Sequence, residues 1–479
     1  MEQVNSSNSE SSKLRGFGLA LLIASFMLWF YRHDLNPVNY IIVVLLIFRA
    51  SEYAVSKTSL FVKKEIDLDS PSLARRTKIY STLVAVLLTF IVVSTTVFLQ
   101  FSQQVGGNPG TYDSENYRDG SFHNLEDSNP TGSVLDTALK YLTDDGSRYP
   151  SSVLPSLEFA TMNLTEDDLS ITWFGHSSIL IQTENLTLVF DPVFGDDNID
   201  PLFFGPSPFE YEHNYELEDL PPIDYVFISH DHYDHLDMDA VKFLSTSQYI
   251  VPLGVEAHLT EWGIPTSNIQ EFDWYEESNV SEEMSIVFTP SQHFSGRGIS
   301  TDNTLWGSWA VYINDHALYF SGDGGYSNEF SKIGDKYGPF DIAFIEAGQY
   351  NEAWSDVHMF PNQSVQAAID LHADSLLPIH NTKFVLALHG WDEPLEEVST
   401  EGQRRNLTVT TPMLGESFLL SENMPSDSWW RNVSVYEPPM LKQSSLVGAL
   451  MYSSMLLAVA MVQLGSKKPR VHLKTTCED

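Results

Sequence analysis

The chain has 479 residues, a formal net charge of −38 and a single cysteine. The negative charge is concentrated in residues 101–441, where 55 Asp and Glu stand against only 11 Lys and Arg. Nucleic-acid binding depends largely on cationic contacts with phosphates, so this composition excludes a nucleic-acid-binding domain. Cys477, alone in the C-terminal tail, excludes an intramolecular disulfide and a catalytic cysteine.

Four apolar runs predict transmembrane helices, three near the N-terminus and one near the C-terminus. In chain order they are residues 16–31, 37–48 with an extension toward Val55, 80–100 and 446–464. A helix needs about 20 apolar residues to span a bilayer, and the third and fourth runs reach that length by themselves. The first two runs are predicted to form a tight helical hairpin, and a signal peptide is the alternative for the first run.

Basic residues beside these runs predict their orientation. Lys13 and Arg15 precede the first run, seven Lys and Arg lie between the second and third, and Lys467 and Lys468 begin a basic tail after the fourth. Because cytoplasmic loops of membrane proteins are enriched in Lys and Arg, all three regions are predicted to be cytoplasmic. The sequence therefore predicts a multi-pass membrane protein with both termini in the cytoplasm and an extracytoplasmic domain between the third and fourth runs.

The domain organisation follows from these runs and from local composition. The assigned segments are residues 1–101 as the membrane region with three transmembrane helices, 102–155 as a flexible tether, 156–424 as a folded domain, 425–443 as a juxtamembrane segment, and 444–479 as the C-terminal transmembrane helix with its basic tail. Trp429 and Trp430 are expected at the membrane interface, with a place in the core as the alternative. In the folded domain, strand patterns alternate with helical stretches such as residues 240–245 and 362–371, which indicates an α/β fold.

A cluster of potential metal ligands follows the strand pattern of residues 225–229. The cluster reads Ser-His-Asp-His-Tyr-Asp-His and contains His230, His232, Asp234 and His235. Neutral imidazole and carboxylate groups suit zinc and similar metals. One ion cannot bind all four groups of so tight a turn, so two adjacent metals are predicted. The alternative is a surface loop that is rich in histidine by chance.

Three further residues of ligand type each follow a predicted strand. His293 comes after residues 285–288, Asp323 after residues 317–320, and His380 after residues 376–379. Each of these residues alone is compatible with a structural role. Together they show strands that deliver metal ligands from their ends, which is what a two-metal hydrolase requires.

These motifs resemble the metallo-β-lactamase superfamily over roughly residues 155–422. The segments that carry the resemblance are Trp173-Phe-Gly-His-Ser-Ser, Asp191-Pro-Val-Phe, the His230 cluster, Asp302-Asn-Thr-Leu-Trp-Gly-Ser-Trp, Gly322-Asp-Gly-Gly-Tyr, Gly338-Pro-Phe-Asp, Gly348-Gln-Tyr, His358-Met-Phe-Pro and Pro378-Ile-His. The sequence is more similar to one branch, the N-acyl-phosphatidylethanolamine-hydrolysing phospholipase D and its RomA-type bacterial relatives. The resemblance implies an αββα sandwich with its metals at one edge of the two sheets.

The resemblance also implies a ligand set for two Zn²⁺ ions, with iron or manganese as alternatives. One ion would be held by His230, His232 and His293, the other by Asp234, His235 and His380, and Asp323 would bridge them. Two departures from the family concern the lining of the site. Gly324 stands where relatives often have Thr or Ser, and Asn381-Thr-Lys follows His380 where the phospholipase has a Trp.

The expected mechanism uses a hydroxide that bridges the two metals and attacks phosphorus or a carbonyl carbon, without a side-chain nucleophile. The catalytic residues are then Asp234 and Asp323, through the metals, and His358, a candidate for contact with the substrate phosphate or, alternatively, a structural histidine. Gln349 and Tyr350 are expected in the substrate pocket on resemblance only. The two remaining histidines considered are His176, expected to be structural, and His389, for which lining the site and packing are both open.

The favoured function is that of a membrane-anchored phospholipase D-like phosphodiesterase acting on N-acyl-phosphatidylethanolamine or related lipids. The first alternative is a hydrolase of a small soluble ester, lactone or phosphodiester. A non-catalytic metal-binding sensor is the second alternative, which a missing ligand would have favoured. The acidic domain argues for a zwitterionic or neutral substrate or for a saline environment, and a solvated acidic surface without functional meaning is the other interpretation.

Overall fold

The computed structural model describes residues 103–126, 148–195, 199, 206–298, 300–420 and 424–433. All of them belong to one compact unit, Gln103–Asp479. The four predicted transmembrane runs lie outside the described residues and stay predictions. Among the described residues, every helix is too short or too polar to cross a bilayer.

Two seven-stranded sheets and a short hairpin make up the β-structure. The strands in chain order are β1 (Tyr117–Arg118), β2 (Ser121–Phe122), β3 (Ser170–Trp173), β4 (Ile179–Gln182), β5 (Thr187–Phe190), β6 (Tyr225–Phe227), β7 (Gln248–Pro252), β8 (Ile269–Phe272), β9 (Glu277–Asn279), β10 (Met284–Thr289), β11 (Ser308–Ile313), β12 (His316–Phe320), β13 (Ile342–Glu346), β14 (Ser375–Ile379), β15 (Thr408–Val409) and β16 (Ser417–Leu419). The hairpin is β1–β2.

The two sheets have the same plan. The first sheet has the order β16-β3-β4-β5-β6-β7-β8, and the second has the order β15-β14-β13-β12-β11-β10-β9. In each sheet, one half is antiparallel and the other half is parallel. The apolar runs in β6, β12, β13 and β14 explain this arrangement, because strands covered on both faces read as continuous hydrophobic segments.

The described α-helices cover the outer faces of the sheets. They are α1 (Met238–Phe243), α2 (Glu256–Glu261), α3 (Glu329–Tyr337), α4 (Pro361–Asp370) and α5 (Glu393–Arg405). Helix α1 lies against the first sheet, where the Tyr249 hydroxyl of β7 donates to the Val241 carbonyl at 3.1 Å. Helices α3 and α4 pack on the second sheet in one cluster that contains Ile333, Val365 and Ile345. The two predicted helical stretches correspond to α1 and α4.

Aromatic side chains fill the space between the two sheets. The rings of Phe190 in β5 and Phe320 in β12 have centroids 4.9 Å apart, and those of Phe227 in β6 and Trp309 in β11 are 5.6 Å apart. All four side chains are buried. Full burial of a side chain of this size stabilises the fold by about 1.5–3 kcal/mol, so this layer holds the sheets face to face. The predicted αββα sandwich is confirmed.

Part of the segment assigned to a tether lies against the domain. Phe122 of β2 is buried in the core, and its amide donates to the Asp302 carbonyl at 2.8 Å. The Gln103 carbonyl accepts a hydrogen bond of 2.6 Å from the Trp262 indole. Residues 103–126 therefore pack on the domain, since they bury an aromatic side chain and bond across long sequence distances. The remaining tether residues up to 147 lie outside the described part.

The expected membrane-interface position of Trp429 and Trp430 is wrong. Both side chains are buried in the core. The Trp429 indole donates to the Pro412 carbonyl at 3.2 Å, and the Trp430 indole donates to Glu396 at 3.1 Å. Each ring thus buries its apolar surface while its N–H donates a hydrogen bond, as a tryptophan inside a domain requires.

Candidate metal centre

The ligand-type residues singled out by the sequence lie in loops that follow strands. His230, His232, Asp234 and His235 follow β6, and His293, Asp323 and His380 follow β10, β12 and β14. These last three strands run in one direction, so their ends lie at the same edge of the second sheet. The loop after β6 reaches that edge, because His235 Nε2 is 3.1 Å from Asp323 Oδ2.

The structure brings these residues together in two groups. The first donor set consists of His230, His232, His293 and Asp323, and the second donor set consists of His176, Asp234, His235 and His380. Within each set, the potential ligand atoms all lie within 4.8 Å of one another. Asp323 also approaches the second set, since its Oδ1 lies 3.0 Å from His380 Nδ1. Its carboxylate therefore lies between the two sets, where a bridging ligand is expected.

Unsatisfied polar atoms indicate that the two sets fit metal ions. His380 Nε2 and His176 Nδ1 are buried and make no hydrogen bond, and the same holds for His235 Nε2 and Asp323 Oδ1 despite their polar neighbours at 3.1 and 3.0 Å. Such atoms are rare in protein interiors because desolvation without a partner costs free energy. A shared ion at each set would satisfy several of them at once, and imidazole and carboxylate donors are suited to zinc, iron or manganese.

Burial keeps three of the histidines in the neutral form that binds metal. It lowers the pKa of His230, His293 and His380 well below the ordinary value of histidine. Neighbouring histidines lower these pKa values further. The three imidazoles are therefore neutral near neutral pH, and each can offer a lone pair to a metal.

A buried carboxylate orients His235. Asp191 Oδ2 lies 2.6 Å from His235 Nδ1, and the same carboxylate accepts from the Ser229 amide at 2.8 Å and from the Ser229 hydroxyl at 2.6 Å. With its Nδ1 proton donated to Asp191, His235 presents Nε2 to the donor sets. Asp191 begins the Asp191-Pro-Val-Phe motif, and its role was not apparent from the sequence.

Glu346, which the sequence analysis missed, holds His358 beside the metal centre. His358 Nδ1 lies 3.0 Å from Glu346 Oε2, and the carboxylate also accepts from the Gly324 amide at 2.9 Å and the Met359 amide at 2.8 Å. The His358 ring stacks on that of His380, with centroids 5.3 Å apart and an angle of 8°. The available signal was a single carboxylate at the end of the apolar strand β13, the position type that carries the other ligands.

Burial acts in opposite directions on the pKa values of Glu346 and His358, yet both values are raised. Burial raises the pKa of Glu346 above its ordinary value, and His358 partly opposes that shift. Burial by itself would lower the pKa of His358, but the carboxylates of Glu346, Asp323 and Asp234 together raise the pKa above the ordinary value. Together with Asp323 and His380, the two residues also form a third group of potential metal ligands.

A close approach of two loops places His358 beside the metal centre. A Cβ added to Gly325 would collide with the backbone oxygen of Asp356, so only glycine allows the loop after β12 to touch the chain just before His358. This requirement explains the last glycine of the Gly322-Asp-Gly-Gly motif.

His176 lies in the second donor set. Its Nε2 lies 2.9 Å from Asp234 Oδ2, and its ring is 4.2 Å from that of His380. His176 was expected to be structural, and its contact with the predicted ligand Asp234 was not part of that expectation. The positive φ of 52° at this position turns the chain between β3 and β4 and brings the imidazole to the site.

Gln349 and Tyr350 use their polar groups inside the protein. The Gln349 amide side chain donates to the Phe384 carbonyl at 3.1 Å and accepts from the Leu386 amide at 2.9 Å. The Tyr350 hydroxyl donates to Glu393 at 2.7 Å, and its ring stacks on His389 at 4.3 Å. These contacts support the loop after β14. His389 is part of the same packing, because its Nε2 accepts from the Gln349 backbone amide at 2.7 Å.

Comparison with known proteins identifies relatives of this chain. Residues 187–381 match the family described as the beta-lactamase superfamily domain. The chain is 38% identical over 339 residues to an uncharacterised protein of Mycobacterium tuberculosis, covering 66% of this chain and 88% of that protein. It is 37% identical over 238 residues to N-acyl-phosphatidylethanolamine-hydrolyzing phospholipase D 1 of Caenorhabditis elegans, and the match covers 46% of this chain and 67% of that protein. It is 40% identical over 125 residues to the outer membrane protein RomA of Klebsiella pneumoniae, and the match covers 25% of this chain and 95% of that protein.

Proposed function

Since the chain belongs to the metallo-β-lactamase superfamily, in the branch of N-acyl-phosphatidylethanolamine-hydrolysing phospholipase D and RomA, we propose that it is a dinuclear phosphodiesterase of phospholipase D type. The observation that carries the proposal is the position of Asp323. One oxygen of its carboxylate lies 3.1 Å from His235 Nε2, and the other lies 3.0 Å from His380 Nδ1. The same side chain belongs to the first donor set.

The residues around Asp323 have distinct tasks in this proposal. The first donor set and Asp234, His235 and His380 would hold two metals, which when bound act as Lewis acids and lower the pKa of water. Asp191 and Glu346 orient His235 and His358 by accepting hydrogen bonds from their Nδ1 atoms. His358 then has its Nε2 left to contact a phosphoryl oxygen of the substrate.

Two exposed apolar side chains beside the metal centre support a lipid substrate. Phe294 is 40% exposed, and its ring lies 4.6 Å from that of His232 and 4.7 Å from that of His293. Leu125 is 49% exposed and follows Asn124, whose amide binds the His293 backbone. Isolated exposed apolar residues are common on protein surfaces, but these two adjoin the reaction site, where an acyl chain would need apolar contacts. N-acyl-phosphatidylethanolamine or a related lipid has such a chain.

Full-length protein in lipid nanodiscs tests this proposal. Nanodiscs that contain phosphatidylethanolamine and N-acyl-phosphatidylethanolamine should release phosphatidic acid, which mass spectrometry detects. Removal of metal with a chelator should stop the release, and added Zn²⁺ should restore it. An unchanged lipid profile from a metal-loaded protein would exclude the phospholipase D reaction and direct the search to soluble esters, lactones and phosphodiesters.

We further propose that the domain is extracytoplasmic and anchored by four transmembrane helices. The support is the sequence pattern of four apolar runs with basic residues on one side. Tags at the N- and C-termini should both be protected from protease in sealed cells, whereas a tag inserted in the domain should be accessible. A protected domain tag with accessible termini would reverse the topology.

A further inference from the structure

The segment 103–126, which precedes the residues matched to the superfamily, contacts the metal centre directly. The side chain of Asn124 makes two hydrogen bonds with the backbone of His293. Its Nδ2 donates to the His293 carbonyl at 2.6 Å, and its Oδ1 accepts from the His293 amide at 3.1 Å. The Trp306 indole donates to the same Oδ1 at 3.0 Å and so fixes the orientation of the amide.

These bonds replace a strand partner for His293. The residue lies four positions beyond the end of β10, where the sheet no longer bonds its backbone. Within the part of the chain described here, Asn124 is the partner we find for both its N–H and its C=O. The ring is fixed separately, because His293 Nδ1 lies 3.1 Å from the Val357 carbonyl. Asn124 therefore fixes the position of the His293 backbone, from which the side chain extends. Val357 fixes the rotation of the imidazole ring.

The segment is also attached to the loop that carries the other histidines. The Gln104 carbonyl accepts from Arg297 Nη2 at 2.8 Å. Arg297 Nη1 donates to the carbonyls of Asp231 at 2.8 Å and Leu236 at 2.6 Å, at the two ends of the ligand loop after β6. The Arg297 side chain is buried, so these bonds are shielded from water.

We propose that Asn124 is a positioning residue of the metal centre, which acts through the backbone of His293 to place that ligand in the first donor set. The segment 103–126 is then a structural part of the site, although it lies outside residues 187–381 that match the superfamily. The inference rests on the proposed metal centre, and it adds a residue that touches neither metal nor substrate. Groups that orient metal ligands typically change metal affinity by 10- to 100-fold when removed.

Metal release from full-length protein tests the proposal. The Asn124→Ala variant, loaded with Zn²⁺, should transfer zinc to a chromogenic chelator about 10- to 100-fold faster than the unmodified protein. Excess Zn²⁺ should restore its rate of hydrolysis, because the substitution removes no metal ligand. Asn116→Ala is the matched control: its Nδ2 donates to Asp273 Oδ1 at 2.9 Å, so it also attaches the segment to the domain, but away from any ligand.

The outcomes separate this inference from the proposed function. Equal zinc release from Asn124→Ala and the unmodified protein would overturn the inference, and so would equally fast release from both variants, which would indicate general loosening of the segment. If circular dichroism shows that Asn124→Ala does not fold, Asn124→Asp decides. That variant keeps the acceptor for His293 but sets two oxygens 2.6 Å apart without a proton between them, so it should also release zinc faster. Failure of the unmodified protein to bind zinc, iron or manganese would instead refute the metal centre itself.

Discussion

Replacement of Asp323 by Asn should remove metal from the centre and reduce hydrolysis by more than about 100-fold, the upper end of the loss caused by residues that only orient ligands. The carboxylate is buried, and its Oδ2 lies 3.1 Å from His235 Nε2 of the second donor set and 3.8 Å from His293 Nε2 of the first, while its Oδ1 lies 3.0 Å from His380 Nδ1. Asn keeps the shape but replaces one oxygen with an NH₂ group, which cannot bind a metal and points a proton at a histidine nitrogen. Metal content by mass spectrometry and product release from nanodiscs measure the two effects.

Asp341→Asn is the control for this variant. Asp341 lies just before β13, at the opposite end of the second sheet, and its carboxylate accepts from the Ala317 amide at 2.7 Å. This change should leave the metal content intact. Two bound metals and normal activity in Asp323→Asn would show that the carboxylate does not bridge the two sites.

Replacement of His358 by Ala should reduce kcat by about 10²- to 10³-fold while the metal content stays unchanged. The reason is that His358 lies beside both donor sets, with ring centroids 5.2 Å from His293 and 5.3 Å from His380, but has its Nδ1 bonded to Glu346. It is therefore placed to contact substrate through Nε2 without belonging to either donor set. Steady-state kinetics together with metal analysis separate the two roles.

Glu346→Gln should have a smaller effect in the same direction. The amide cannot accept a hydrogen bond on its NH₂ group, so His358 loses part of its orientation. If Glu346 acts only through His358, the double variant should be no slower than His358→Ala, because effects of residues that act as a unit are not additive. Glu271→Gln is a matched control, since Glu271 also accepts from two backbone amides but lies away from the centre. Loss of metal from His358→Ala would instead assign His358 to the ligands, as the third group of donors allows.

The sequence was sufficient to predict the sandwich fold, through the resemblance to a family, and the metal ligands that follow strands. His230 and its neighbours form a compact motif, and His293, Asp323 and His380 each end an apolar strand, so local pattern alone marked them. Glu346 ends a strand in the same way, but a single carboxylate has no spacing that distinguishes it. Its meaning depends on His358, which reaches it from a different loop.

Other features depend on contacts between distant segments. Asn124 bonds to a residue 169 positions away, in a stretch whose polar composition suggests a free linker. Trp429 and Trp430 were assigned from their distance to a predicted membrane helix, whereas Glu396 and Pro412 provide the partners that bury them. Composition and periodicity contain no information about such pairs.

The division of the donor sets between the two sheets has a consequence for folding. His230 and His235 extend from the first sheet, and His293, Asp323 and His380 extend from the second. Bound ions would therefore cross-link the halves of the sandwich at one edge, so that metal uptake and folding become a single linked equilibrium. Above the dissociation constant, each tenfold rise in free metal would stabilise the folded chain by about 1.4 kcal/mol per ion. Metal supply would thus determine how long the folded domain survives as well as how fast it works.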